Sequence, residues 1–369
     1  MNVFSSFGAN YSFKFVLRVI FARNGYFFQK KLVNFLKKKY QGKVILTYKC
    51  REAIELGLLS LALPKESFVA ICSISCQEVI GAIKQAGLNI EYLDIGKEGL
   101  NFSASVLKRA LAKNLKIKAV LIQNTLGYPC EIENIAKICR KNSLVLIEDL
   151  AHCVGCKYEN GIEAGSMGDM VVLSFSQNKI LDVTAGGALI FKKPFRVILP
   201  KKEPDLKRQL VDRINPVCMY LSKSFYPLYL LFQKLVFFSK PFTKIGDGIH
   251  QLPGWYCSLV LYKLNNLDYE LSHRREIAGI YAKLIDKDIL SAKLVSQISL
   301  SANFRFPVFV PKKEELISYL ALYGIFLDDT WFKGTALTLP THINISAKKS
   351  KEISFLINKW IDNVSDLRS

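Results

Sequence analysis

Two residues in this chain have the types and placing to do covalent chemistry on an amine. Asp149 closes an apolar, strand-like run, VLIEDLAH, and Lys179 follows a second one, MVVLSFSQNK, ahead of a glycine pair at Gly186 and Gly187. A lysine amine on a loop condenses with an aldehyde, and a carboxylate at a strand end pairs with a protonated ring nitrogen. Together they are the minimum apparatus for pyridoxal 5'-phosphate, whose ring then stores the electron pair of a carbanion. Ser174, five residues before the lysine, offers a hydroxyl to the cofactor phosphate. On these residues alone the plainer reading stands ahead: Asp149 caps the next segment and Lys179 is one of many surface lysines.

The elements that would position them alternate in type. A helical pattern at 51–62 leads to the apolar run 68–74, and helical 77–87 to strand-like 89–95. Helical 103–113 then precedes 117–123, and helical 131–142 precedes 144–150. Alternation at this spacing predicts an α/β fold, a mainly parallel sheet with helices on both faces. Ligands of such sheets gather at the carboxyl ends of strands, which places the chemistry just after residues 74, 95, 123 and 148. Beyond about 250, a helical stretch at 255–286, a strand at 304–310, a helix at 313–324 and a last helix near 348–362 read as a smaller α+β domain. The expected division is a basic amphipathic segment at 1–43, a large α/β domain at 44–200, a basic apolar insertion at 201–250 and a small C-terminal domain at 251–369.

The run IKAVLIQNTLGYPCEIENIAKICRKNSLVLIEDLAHCVGCKYENGIEAGSMGDMVVLSFSQNKILDVTAGGALIF (117–192) resembles the DegT/StrS family of fold-type I, pyridoxal-phosphate-dependent sugar aminotransferases. The pieces that carry the resemblance are Gly127 and Pro129 after a strand, I-E-D-x-A-H, the G-x-x-G-D from Gly165 to Asp169, S-F-x-x-x-K, and the Gly-Gly that follows. It extends through VAICSISCQEVIGAIKQAG and YLDIG upstream, and LYKLNNLDYELSHRREIAGIYAKL, RFPV and LPTH downstream. The resemblance implies that Lys179 is the Schiff-base lysine and proton shuttle, Asp149 the pyridinium partner and Ser174 a phosphate ligand. It sets His152 beside the ring's phenolic oxygen, where the family has Gln or His, and His342 near the substrate end. A homodimer is implied as well.

Three positions depart from the family. Its S-G-T turn before the first helix reads Lys49-Cys50-Arg51, leaving the phosphate to helix N–H groups at Cys50 and to the fork of Arg51. Cys76 stands where many members stack an aromatic residue on the ring. The segment in which a neighbouring subunit's asparagine is expected, KPFTKIGDGIHQLPGW, matches poorly.

The implied reaction moves an amino group from an amino acid, with glutamate expected, to a keto sugar, nucleotide-linked, for cell-surface polysaccharide or related products. One alternative is a non-catalytic scaffold or peripheral membrane protein that keeps the fold. Another is a sugar dehydratase, against which Lys179 argues, since that position is typically His in the family's dehydratases.

Composition sets the remaining limits. Of 369 residues, 50% are hydrophobic and 22% charged, which excludes a disordered chain. Lys and Arg number 51 against 31 Asp and Glu, a net charge of +20. Eleven of the basic residues, from Lys14 to Arg51, come before or beside the first acid, Glu52, interleaved with aromatic and aliphatic residues. A second acid-free block, Arg213–Gly246, is cut by Pro216, Pro227 and Pro241 into what should be short pieces. Such segments suit contact with an anionic leaflet, and equally packing on the body or on a second subunit. No nucleic-acid motif accompanies them. The nine cysteines are odd in number and scattered, so reduced thiols are expected; Cys153 and Cys156 form a C-x-x-C with no second pair for a metal. The N-terminus lacks the order of a secretory signal, and no apolar run approaches the ~18 residues of a span. A cytoplasmic protein is expected, with membrane association left open.

Overall fold

The computed structural model describes residues 3–4, 11–96, 99–195, 199–200, 202–222, 226–237, 248–327 and 336–364. In the first half of the chain, β1 (Val3–Phe4), α1 (Phe13–Phe21) and α2 (Tyr26–Tyr40) precede β2 (Lys43–Thr47), α3 (Cys50–Ser60), β3 (Phe68–Cys72), α4 (Gln77–Gln85) and β4 (Asn89–Leu93). Next come α5 (Ala104–Lys113), β5 (Ile117–Ile122), α6 (Ile132–Lys141), β6 (Val145–Asp149), β7 (Met170–Ser174) and β8 (Gly187–Phe191). The second half holds α7 (Leu206–Ser222), α8 (Tyr226–Phe237), α9 (Gly254–Asn265), α10 (Leu267–Leu284), α11 (Ala292–Ser296), β9 (Arg305–Phe309), α12 (Lys313–Leu322), β10 (Ile325–Phe326), β11 (Ala336–Pro340) and α13 (Ala347–Asn363).

Seven strands form one sheet in the order β2-β8-β7-β6-β5-β3-β4, parallel from β7 to β4, with β8 antiparallel to both its neighbours. Both faces are covered, and β3, β8 and β7 up to Ser174 read accordingly as continuous apolar runs. Alternate residues go to opposite cores: Ala70 and Cys72 face the layer of α2, α5, α6 and α9, while Val69 and Ile71 face α3 and α4. Each such aliphatic side chain, withdrawn from water, contributes about 1.5–3 kcal/mol. A third core forms where α10, α12 and α13 pack on the antiparallel pair β9–β11. The fold is thus the mixed α/β arrangement that the sequence predicts.

Two details differ from expectation. The helical stretch 255–286 is two helices broken at Asn266, whose side chain donates to the Tyr262 carbonyl and whose backbone is non-helical. Pro216 does not end a helix; it lies inside the 17-residue α7. The proline's missing N–H is offset by tertiary anchors on α7: Asp212 accepts from the hydroxyls of Tyr48 (2.6 Å) and Tyr256 (2.7 Å), and Gln209 accepts from the Trp255 indole (2.9 Å). Pro227 sits at the second position of α8, where a proline costs no hydrogen bond; Pro241 lies outside the described residues. Residues of the N-terminal segment join the main core. Tyr11, Phe15, Val19 and Leu32 are buried in the same core as α9. Among the described residues no helix is long and apolar enough to cross a membrane.

Candidate active site

Strand ends bring the predicted residues together. Asp149 terminates β6 and Ser174 terminates β7, its direct neighbour, so both lie at the carboxyl edge of the parallel strands. Adjacent residues on a strand point to opposite faces, and this separates the two acids of I-E-D. Glu148 faces inward: its carboxylate accepts from the backbone N–H of Gly165 and Met167 (2.7 Å each), from that of Gly168, and from the Tyr158 hydroxyl (2.7 Å). The glycine-rich loop is therefore a wrap around Glu148. Asp149 takes no part in that wrap.

Asp149 is 2% exposed and accepts one hydrogen bond through Oδ1, from Ala151 N at 2.9 Å. Burial pushes its carboxyl up to about 6, against the pull of that N–H and of Lys179. Lys179 Nζ lies 3.0 Å from His152 Nε2. The imidazole is stacked on Phe304, centroids 4.8 Å apart and planes 13° from parallel, and its Nδ1 is 3.3 Å from Gln123 Nε2. Desolvation, reinforced by the positive charges of Lys179 and Arg305, holds His152 well below the ordinary histidine range, so the ring is neutral.

The start of α3 closes the other side. Cys50, its first residue, interacts with Asp149, Lys179, Cys76 and the Ser174 hydroxyl, and burial first, then Asp149, raises its thiol well above the usual value. The helix can come this close only because position 187 lacks a side chain. A Cβ on Gly187 would stand 2.8 Å from Cys50 N and Cα. Cys76 caps α4, its sulfur accepting from Glu78 N at 3.3 Å. Arg51 points to the same helix, its guanidinium paired with Glu78, which joins the N-termini of α3 and α4. Residues 248–253 run beside β2: His250 donates through its backbone N–H to Glu52 (3.1 Å), and Tyr48 N donates to the His250 carbonyl. The preceding 240–247 lie outside the described residues.

His342 is buried just beyond β11, its carbonyl 3.3 Å from His273 Nε2. Its chain neighbour Thr341 is tied to Phe304 through Arg274, which donates to the Phe304 carbonyl and to Thr341 at 3.1 Å each. Gln123 and Phe304 were not singled out by sequence reasoning. Gln123 carried a usable signal, standing at the end of a predicted strand; Phe304 had none, because its partner is some 150 positions away.

The model of the DegT/DnrJ/EryC1/StrS aminotransferase family matches residues 23–197. Residues 23–197, just under half of the chain, are similar to this family. Among its relatives, a UDP-4-amino-4,6-dideoxy-N-acetyl-beta-L-altrosamine transaminase of Campylobacter jejuni is 26% identical over 280 residues, 74% of this chain and 67% of the relative. A GDP-perosamine synthase of Escherichia coli O157:H7 is 25% identical over 234 residues, 63% of this chain and 56% of the relative. The fold is that of Helicobacter pylori PseC, an aminotransferase involved in the biosynthesis of pseudoaminic acid, with a TM-score of 0.74 at 17% identity, covering 98% of this chain and all of that one.

Pyridoxal 5'-phosphate is the cofactor of this family. The residues present fit it: a buried carboxylate with a single hydrogen bond for the ring nitrogen, an amine at the same strand edge, and a helix N-terminus beside a serine hydroxyl for the phosphate.

Proposed function

We propose that the protein is a pyridoxal-phosphate-dependent aminotransferase that passes an amino group from an amino acid, glutamate by preference, to a keto sugar carried on a nucleotide. The observation that carries this reading is the grouping of Lys179, His152, Asp149 and Cys50 at one strand edge. The relatives' names support the substrate class, a nucleotide-linked sugar. When bound, the cofactor carries the amino group and serves as the electron sink for the carbon that loses a proton. Asp149 holds the ring nitrogen's proton through its free oxygen. Ser174 and the first-turn N–H groups of α3 hold the phosphate, and Arg51 adds positive charge behind them. Lys179 Nζ would hold the cofactor's aldehyde carbon and, as a free amine, would carry the proton at the amine-bearing carbon. His152, neutral and wedged between Gln123 and Phe304, orients that amine.

The test is the absorption spectrum with added cofactor, before and after glutamate. A band of lysine-bound cofactor that glutamate bleaches, and that Lys179→Ala lacks, supports the reading. No band at saturating cofactor overturns it in favour of a non-catalytic scaffold; release of water from the sugar without amine transfer would make the protein a dehydratase.

We infer further that the protein is a homodimer and that the outer face of α1 and α7 rests on an anionic leaflet. Phe13, Leu17, Ile20 and Phe21 of α1 and Leu206, Leu210 and Ile214 of α7 are exposed, with Lys14 and Lys207 among them. The two helices are joined by Arg213, which donates to the carbonyls of Ile20 and Ala22 at 3.0 and 2.9 Å. Sedimentation with anionic and neutral vesicles tests the surface. Binding to anionic vesicles alone supports it; binding to neither, with Phe21→Glu breaking a dimer in solution, assigns the face to the subunit seam instead.

A further inference from the structure

The loop that carries Lys179 is held in shape by one carboxylate. Asp182 is fully buried, and its Oδ2 accepts from Asn178 N at 2.8 Å while its Oδ1 accepts from Thr184 N at 3.3 Å. Asn178 and Thr184 both have positive φ, 59° and 85°; asparagine tolerates this region, whereas a β-branched threonine adopts it only when its surroundings impose it. Asp182 thus braces the two positive-φ points that flank the reactive lysine.

Asp182 is itself fixed from outside the family-matched region. The Tyr11 hydroxyl donates to Asp182 Oδ1 at 2.7 Å. Tyr11 is fully buried, stacked on Phe15 with centroids 5.3 Å apart, and the next residue, Ser12, caps α1 by accepting from Phe15 N. Both the phenol and the carboxylate lie in the apolar core, where an unmatched partner would be costly. Lys263, held by Glu270 at 2.8 Å, supplies an opposite charge.

We propose that Tyr11 is a positioning residue for Lys179, acting through Asp182, so that the N-terminal segment is a working part of the active site rather than an appendage. The proposal rests on Lys179 being the cofactor-bonding amine. Losing the phenol's hydrogen bond frees Asp182 to shift, the Asn178 turn relaxes, and the lysine nitrogen leaves its place beside His152.

The experiment compares wild type, Tyr11→Phe, Asp182→Asn and the double variant by two measurements. One is the rate at which the cofactor-bonded absorption band forms. The other needs no cofactor: acetylation of Lys179 by an N-hydroxysuccinimide ester, quantified by mass spectrometry against exposed Lys108 in the same sample. The expected result is a change of roughly tenfold in both for Tyr11→Phe, with the double variant no worse than Asp182→Asn alone. Unchanged band formation and an unchanged Lys179-to-Lys108 ratio in a folded Tyr11→Phe protein overturn the proposal, even if its melting temperature falls. Should Tyr11→Phe not fold, Asp182→Asn, which keeps an acceptor at Oδ1, decides by the same two readouts. A wild type that forms no band sinks the aminotransferase reading, while the acetylation ratio still judges the coupling of Tyr11 to Lys179.

Discussion

Lys179 Nζ sits 3.0 Å from His152 Nε2, and the histidine is pinned between the amide of Gln123 and the ring of Phe304. A side chain with so little freedom orients its neighbour at no further entropic cost. His152→Ala is expected to lower kcat by about 10²-fold, with a much smaller change in KM. His152→Gln, which keeps a polar group facing the lysine, should recover a good part of that loss. Steady-state kinetics of the two variants provide the comparison.

Asp149 is destabilising until something pairs with it. Its folded-state value near 6, against an ordinary 3.8, means that between those pH values the folded cofactor-free protein keeps a proton that the unfolded chain has released. Stability of the cofactor-free form should therefore fall as pH rises through that window, by about 3 kcal/mol in all. Asp149→Asn removes the dependence and should be more stable than wild type at pH 7, while losing cofactor affinity and activity. Denaturant titrations at pH 4.5 and 7 read the sign directly.

Gly187 is where helix and strand touch. Gly187→Ala forces a Cβ to within 2.8 Å of the Cys50 backbone, so α3 must back away from the site. The expected cost is about 1–3 kcal/mol of stability, together with weaker cofactor binding as the N–H groups retreat. Thermal melting and cofactor titration would show both effects; a variant that binds as tightly as wild type would mean the helix start does not hold the phosphate.

Glu148 is a structural acid beside the one proposed for chemistry. Glu148→Ala leaves the N–H groups of Gly165, Met167 and Gly168 and the Tyr158 hydroxyl without their acceptor. The loss should reach about 3–5 kcal/mol. Glu148→Asp, one methylene shorter, should remain folded but less stable. Circular dichroism melts separate this from Asp149→Asn, whose effect on stability has the opposite sign.

Local patterns were enough to read the sheet. The runs 68–72, 119–122 and 145–147 are short and apolar, as strands buried on both faces require. Asp149, Lys179 and Ser174 were legible because motif order fixes them along the chain. What escaped are pairings between distant residues. Tyr11 and Asp182 are 171 positions apart, and neither belongs to a pattern that points to the other. The continuity of α7 through Pro216 was equally invisible, since Asp212 and Gln209 hold that helix through Tyr48, Tyr256 and Trp255.

Helix α10 enters two cores in turn: Leu267 and Leu271 pack with the sheet, and Ile277, Ala278 and Tyr281 pack with β9, β11 and α13. A single rod of 18 residues, about 27 Å long, therefore serves both ends. It behaves as a shared axle. The C-terminal body cannot swing without turning the helix that the sheet grips, so Phe304 and His342 keep a fixed bearing on Lys179, and the protein should admit its substrates by exchanging loops at the rim rather than by opening like a jaw.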